Sequence, residues 1–515
     1  MSDTSAKPKK RPFLSPGFVQ AMLAGHSALG LAFAALIYVV CLTGTVAVFL
    51  HELHRWEQPN VPVAGDVTPE AVDAALRAGH EQAKADNAAG DMFAMGAPIT
   101  GGRFAVNYHN HDTGAEGHWI ADEQGQLVAR SSVPWVNFVA NLHMHLHLPR
   151  TWGLYLVGLT GVALLSSLIS GLLSHPRIFK DAFALRWGGS RRLQEADLHN
   201  RLGVWGLPFH IVVTLSGTLL GLSTLIMGVL ALAAYDGDRE KAFAELFGPQ
   251  ASHDDESAAP LPDVAAMIRD VQSREPGAAF TSVHIEHAGT GGQIVQLGMH
   301  RPGRVAFSTT YHYDGNGKPL AGSDPDAGGP GQWILGAIHP LHFGWFGGIA
   351  VKLLYGVLGL ALTVVTHSGV VIWLARRRDK GRPAPGWEKI WAAVAWSQPL
   401  AFGVTAMVGL TMGEELLLPV YLATVALSLA LAGIASDGLV VSRALRLFGA
   451  LAIVGAVGVH AHVWADRVTD PMAWYVNLGM LLCAAAIALP MLGGLLRTAR
   501  AGRDRREEGA STQPL

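Results

Sequence analysis

The chain has 515 residues, half of them apolar, and a mean hydropathy of +0.28, a balance that excludes an ordinary soluble enzyme of this size and points to membrane spans. Its formal net charge of −2 is uninformative as a total, because the charges are sorted by segment, and no nucleic-acid partner is expected. The two cysteines, Cys41 and Cys483, lie in apolar runs without a CxxC, which excludes a disulfide framework and a cysteine-ligated zinc or iron–sulfur centre.

Residues 1–25 form a basic N-terminus, with Lys7, Lys9, Lys10 and Arg11 ahead of an apolar run too long for a signal-peptide core. A bilayer crossing needs roughly 20 mostly apolar residues. Eight stretches qualify: 27–50, 153–174, 203–234, 347–375, 391–412, 416–435, 445–464 and 473–496. In chain order these give a first helix in 26–50, a long loop at 51–140, and helices two and three in 141–235. A second long loop follows at 236–338, then helix four in 339–376, an appended four-helix bundle at 391–496 and a tail at 497–515.

Lys and Arg collect in the N-terminus, in Arg177, Lys180, Arg186, Arg191 and Arg192, in the run Arg376 to Arg382, at Arg443 and Arg446, and in the tail from Arg497 to Arg506. Alternating spans place all of these on one side, which the positive-inside rule makes the cytoplasm. The expectation is a multi-pass protein of a bacterial inner membrane, in contact with membrane lipid, with both termini cytoplasmic and both long loops outside. Between Asp236 and His339 the second loop has 14 acidic against 7 basic residues, compatible with that location.

The first half of the chain repeats itself. His26 to Gly30 and Leu42-Thr43-Gly44 recur at the same interval as His199 to Gly203 and Leu215-Ser216-Gly217. Gly161 to Leu164 and Ser170-Gly171 recur as Gly359 to Leu362 and Ser368-Gly369. Both loops open with a helical pattern, Thr68 to Ala85 and Leu261 to Ser273. Each continues into alternating strands, Arg103 to His109 and Thr281 to His287, and closes on a hairpin turn, Asp122 to Gly125 and Asp314 to Gly317. The fold class is therefore a mainly α membrane protein of about eight transmembrane helices with two small α+β outer domains.

The duplication sorts the histidines. His26 and His199 stand at the inner entrances of spans one and three; His143, with His145 and His147, and His342, with His339, stand at the outer entrances of spans two and four. Ionisable side chains beside membrane helices are functional candidates by default. Two facing neutral imidazoles are what the iron of a six-coordinate b-type haem requires. Gly30 and Gly203, with Gly44 and Gly217, would let a flat macrocycle approach the helix. His210 lies eleven residues after His199, about 16 Å along the same face of a straight helix, and is a rival ligand; His367 is another. His143 and His147, spaced i, i+4, offer a zinc or copper alternative. The sequence leaves His199 against His210, and His143 against His145 and His147, open. His109, His111 and His118 read as solvated, as do His460 and His462, and Trp135, Trp152, Trp333 and Trp345 as an interfacial aromatic belt. No catalytic side chain is singled out.

These motifs resemble those of the PepSY-associated transmembrane family. The carrying segments are His26 to Gly30 with Thr43-Gly44, Leu142-His143 with Gly161 and Ser170-Gly171, and His175 to Asp181. They continue with Asp197 to Gly203 and Leu207 to His210, then Pro340 to Gly344 and Ser368 to Trp373. The resemblance covers roughly residues 20–380 and implies that both outer loops are PepSY-like domains. It further implies an iron-regulated, haem-containing ferric-siderophore reductase, an enzyme the residues alone do not specify. The four appended spans depart from the short form of the family.

The expected mechanism is transmembrane electron transfer with about two b haems, an inner one on His26 and His199 and an outer one on His143 and His342. A cytoplasmic or quinol donor supplies the electron, since no GxGxxG between a strand and a helix marks a flavin or nicotinamide site. The acceptor is a ferric siderophore between the outer domains. An iron-chelate permease and a PepSY-type regulatory binding protein without cofactor are the alternatives.

Overall fold

The computed structural model describes residues 14–175, 191–248, 255–301, 308–320 and 330–490. The basic clusters at Lys7 to Arg11, Arg177 to Arg186 and Arg497 to Arg506 lie outside the described residues, as do the side chains of Arg191 and Trp333. Among the described residues six helices are each long and apolar enough to cross a membrane, and two bent helix pairs pass the same test together, which makes eight if each pair is one span. The protein is a multi-pass membrane protein carrying a small antiparallel sheet.

Among the described residues, one compact unit comprises 14–45, 144–175, 191–222 and 354–384. Its helices are Pro16–Ala32 with Ala34–Ala47, Arg150–Ser174, Arg191–Trp205 with Leu207–Gly221, and most of Gly348–Asp379. The first and third spans are not the straight helices expected at 27–50 and 203–234. Each is broken by a 70° bend, the first at Phe33 and the third at Gly206, the same position of the repeat. At Gly206 the cause is local, because Pro208 has no N–H to give to the preceding turn and starts a new helix. The third run ends at Gly221, and a separate helix, Ser223–Ala234, follows.

Small residues bring these helices together. A Cβ on Gly161 would collide with Thr218, and one on Gly359 would fall 2.8 Å from the Thr45 hydroxyl oxygen. The two contacts are repeat equivalents, so the bundle has internal two-fold character.

The other unit holds the sheet and the appended helices. The strands are β1 (Asp91–Met95), β2 (Phe104–His109), β3 (Glu116–Ala121), β4 (Leu127–Arg130), β5 (Ala279–Glu286), β6 (Ile294–His300) and β7 (Thr309–Asp314). They make one antiparallel sheet in the order β4-β3-β2-β1-β5-β6-β7. The two loops keep their duplicated helix-and-strand composition, but share this sheet: β1 pairs with β5 from Met92 opposite Ile285 to Met95 opposite Ser282. Helices Pro69–Ala85 and Val264–Arg274, capped by the side chains of Thr68 and Asp263, pack on it and on each other. Val72, Leu76, Met92, Val106, Ile268, Val283 and Leu297 form one core drawn from both loops. A half-sheet of three or four strands exposes an apolar edge, and pairing the halves removes it.

The appended helices are Pro385–Met412, Leu417–Ile434, Gly438–Trp464 and Met472–Pro490. Their outward surface is apolar, with Leu427 71% and Ile434 85% exposed, as contact with lipid requires.

Candidate haem-ligand histidines

His26 and His199 meet inside the first unit, with ring centres 6.1 Å apart and planes 76° apart. His26 sits within helix Pro16–Ala32, and its Nδ1 lies 2.9 Å from the Ser167 carbonyl. His199 Nδ1 lies 2.9 Å from the Val365 carbonyl and 3.1 Å from the Ser368 hydroxyl. With Nδ1 donating on each ring, the proton is fixed there and Nε2 keeps its lone pair, the tautomer a metal ligand needs. A Cβ at Gly171 would come within 3.1 Å of the His26 ring, and one at Gly369 within 3.4 Å of the His199 ring. The repeat-equivalent glycines Gly171 and Gly369 therefore leave room for the two imidazoles. Gly30 and Gly203 face open space, with nothing within 4 Å of a Cβ built on either.

His143 and His342 meet in the second unit, again 6.1 Å between ring centres, with planes only 23° apart. Neither stands on a spanning helix. His143 lies on Pro134–His145 and His342 on Pro330–Phe343, short helices that precede the spans from Arg150 and Gly348. Two imidazoles ligating one iron through nitrogens at about 2 Å each would have ring centres roughly 6 Å apart, the spacing that each of these pairs shows.

Other candidates fall away from this arrangement. His145 and His147 are 6.0 Å apart, but they belong to one tight turn, with His145 Nδ1 bonded to the Leu148 carbonyl. The i, i+4 pairing of His143 with His147 does not form, because the helix ends at His145 and both Leu146 and His147 have positive φ. Among the described residues no group of three or more His, Cys, Asp and Glu is placed to hold a metal ion. His339 stacks on Phe343 at 6.0 Å, and burial lowers its pKa.

His210 does not share a straight helical face with His199, since the bend at Gly206 separates them. It is fully buried, and neither ring nitrogen reaches a partner in hydrogen-bonding geometry, although the Leu358 backbone faces the ring. His367 packs 6.3 Å from the Tyr38 ring.

The structure adds groups that sequence reading passed over. Lys352, 9% exposed, donates to Glu52 at 2.7 Å and to His51 Nδ1 at 3.3 Å. His51 stacks on Trp345, which stacks on Phe343. Burial first, then the Lys352 charge, pushes the His51 pKa down to about 3. Two histidines read as solvated are engaged: His111 approaches an Asp91 oxygen at 3.0 Å, the same oxygen that His284 approaches at 3.4 Å, and buried His460 stacks on Trp56 at 4.8 Å. Trp135 is buried rather than part of a belt, whereas Trp152 is 71% exposed.

Residues 23–376 match the model of the PepSY-associated TM region. A protein of Pseudomonas aeruginosa, named uncharacterized protein PA4219, is 30% identical over 257 residues, which are 48% of this chain and 64% of that protein. The chain thus spans somewhat under two thirds of that relative. With four helices and their repeated histidine motifs inside the matched region, the chain belongs to the PepSY-associated TM region family.

Proposed function

We propose that the protein is a haem b-containing reductase of the bacterial inner membrane, passing electrons from a cytoplasmic or quinol donor to a periplasmic ferric siderophore. The observation that carries this reading is the occurrence of two imidazole pairs at one-iron spacing, each pair taken from equivalent positions of the repeat. Haem held between each pair would supply a one-electron centre in a medium that otherwise excludes charge. The residues' own part is to hold it: Ser167, Val365 and Ser368 fix the Nδ1 protons of one pair, and Gly171 and Gly369 give both rings room. One electron converts Fe(III) to Fe(II), which hard oxygen ligands bind less tightly, so the chelate releases its iron. Both termini are then cytoplasmic and the sheet periplasmic.

The test is a reduced-minus-oxidised visible spectrum of the purified protein with a haem-to-protein ratio, repeated on His26→Ala and His143→Ala. Two b haems in the native protein and one in each variant are expected. Full haem in both variants would overturn the ligand assignment, and a haem-free native protein would overturn the reductase reading.

A further inference from the structure

We infer that Glu57 is a positioning residue for His143, and that three of the four appended helices serve to bury Glu57 against the helix on which His143 rides. The inference rests on the reading of His143 and His342 as a ligand pair.

Glu57 ends helix Leu50–Glu57 and is 3% exposed. One of its oxygens accepts the Trp135 amide at 2.7 Å and the other the Val136 amide at 2.9 Å. These belong to the first turn of Pro134–His145, where backbone N–H groups have no partner inside the helix and the helix dipole is positive. His143 lies eight residues from Trp135, about 12 Å along the axis. The carboxylate therefore grips one end of a short rod whose other end carries the imidazole.

Three of the appended helices converge on this grip. From Pro385–Met412, Thr405 accepts the Trp135 indole N–H at 3.1 Å, and Gly409 leaves room for Trp135, whose Cβ would be 2.8 Å from an added Cβ. From Gly438–Trp464, His460 stacks on Trp56 and its Nε2 donates to the Trp56 carbonyl at 2.8 Å. From Met472–Pro490, Asn477 accepts the Trp56 indole N–H at 2.8 Å and donates to His460 Nδ1 at 3.1 Å. Just outside, Arg55 makes a two-point contact with Asp470 at 2.6 and 2.8 Å.

Plain docking of four helices calls for an apolar seam, not a buried carboxyl group, whose removal from water is costly. Burial pushes the Glu57 pKa up to about 7, against the pull of the two amide bonds. The repeat offers a comparison. The 173-residue offset that aligns His26 with His199 aligns Glu57 with Leu230, so the carboxyl group is peculiar to the half of the chain that the extra helices engage.

The test compares the full-length native protein with Glu57→Ala, Glu57→Gln and Glu57→Asp in detergent. Amide exchange of residues 134–145 and the electron paramagnetic resonance of the two haems are followed together. Exchange of 134–145 should quicken roughly tenfold in the alanine variant, with residues 150–174 unchanged. Glutamine, whose NH2 must face one of the two amides, should fall between, and aspartate should recover part of the protection. In resonance, only the signal of the near-parallel pair should move. Unchanged exchange at 134–145, or equal changes in both haem signals, would overturn the role of Glu57. A haem-free native protein would instead overturn the ligand-pair reading, and exchange would still decide what Glu57 does.

Discussion

His26 and His199 stand with their ring planes 76° apart at a centre separation of 6.1 Å. The His143 and His342 planes, at the same separation, are 23° apart. Ring planes set how the d orbitals of a low-spin iron split, so the two pairs should be separable spectroscopically. The native protein is expected to give a highly anisotropic low-spin signal, lost in His26→Ala, and an ordinary rhombic one, lost in His143→Ala. Two identical signals would contradict the observed ring angles.

The glycine seats make a second prediction. Gly171→Val puts a branched side chain where even a Cβ lies 3.1 Å from the His26 ring. The ring must swing away, and the haem-to-protein ratio should fall by about one. Ser368→Ala removes the 3.1 Å hydroxyl partner of His199 but leaves the Val365 carbonyl. Haem affinity should drop about tenfold, the lower end of what loss of an outer partner costs. Haem titration of the two variants separates these outcomes.

The base of the sheet domain should be acid-labile. Burial, followed by nearby positive charge, lowers His51 to about 3 and His54 to about 4. Both lie below the unfolded histidine value, so their stabilising effect is complete above about pH 6.5 and is lost as pH falls. Glu57, pushed up to about 7 by burial, acts oppositely: its contribution is largest at low pH and is lost as pH rises from about 4.5 to 7. Two protons against one leave a net loss of stability on acidification between about pH 6.5 and 4.5. Amide exchange of residues 50–57 across that range should show the slope, and His51→Phe should flatten it.

Asp470 is the buried end of an ion pair with Arg55, its side chain fully covered and that of Arg55 19% exposed. Arg103 stands 3.8 Å from the same carboxylate. Asp470→Asn leaves two guanidinium groups without their counter-charge, a change that costs about 3 kcal/mol or more. Denaturant unfolding of the purified variant should show that loss, with haem content retained at the remaining folded fraction.

Much of the architecture was legible in the chain because membrane spans and duplication leave long signals. Twenty apolar residues and a motif returning at a fixed interval need no tertiary knowledge, and both histidine pairs emerged from that interval. The 70° bends at Phe33 and Gly206 were missed because an apolar run looks the same straight or broken. Pro208 was visible, but a proline near a helix start is as common as one at a break. His143 and His147 misled because an i, i+4 spacing holds only where the helix continues, and this one stops at His145. Glu57, His460 and Asn477 were out of reach: their partners are up to 421 residues away in sequence, and no local pattern encodes such a meeting.

The pairing of β1 with β5 has a consequence for how the protein is made. Met95 and Ser282 lie side by side in the sheet, yet the chain between them runs through the candidate span Arg150–Ser174 and the bent pair of Arg192–Trp205 with Leu207–Gly221. At a synthesis rate of about 5–20 residues per second, β1 waits on the order of ten seconds or more for its neighbour. During that wait its open edge is a site for wrong pairing. Correct insertion of the two intervening spans is thus a precondition for closing the sheet, and a chain that fails to insert them should be visible to quality-control proteases as an unpaired half-sheet.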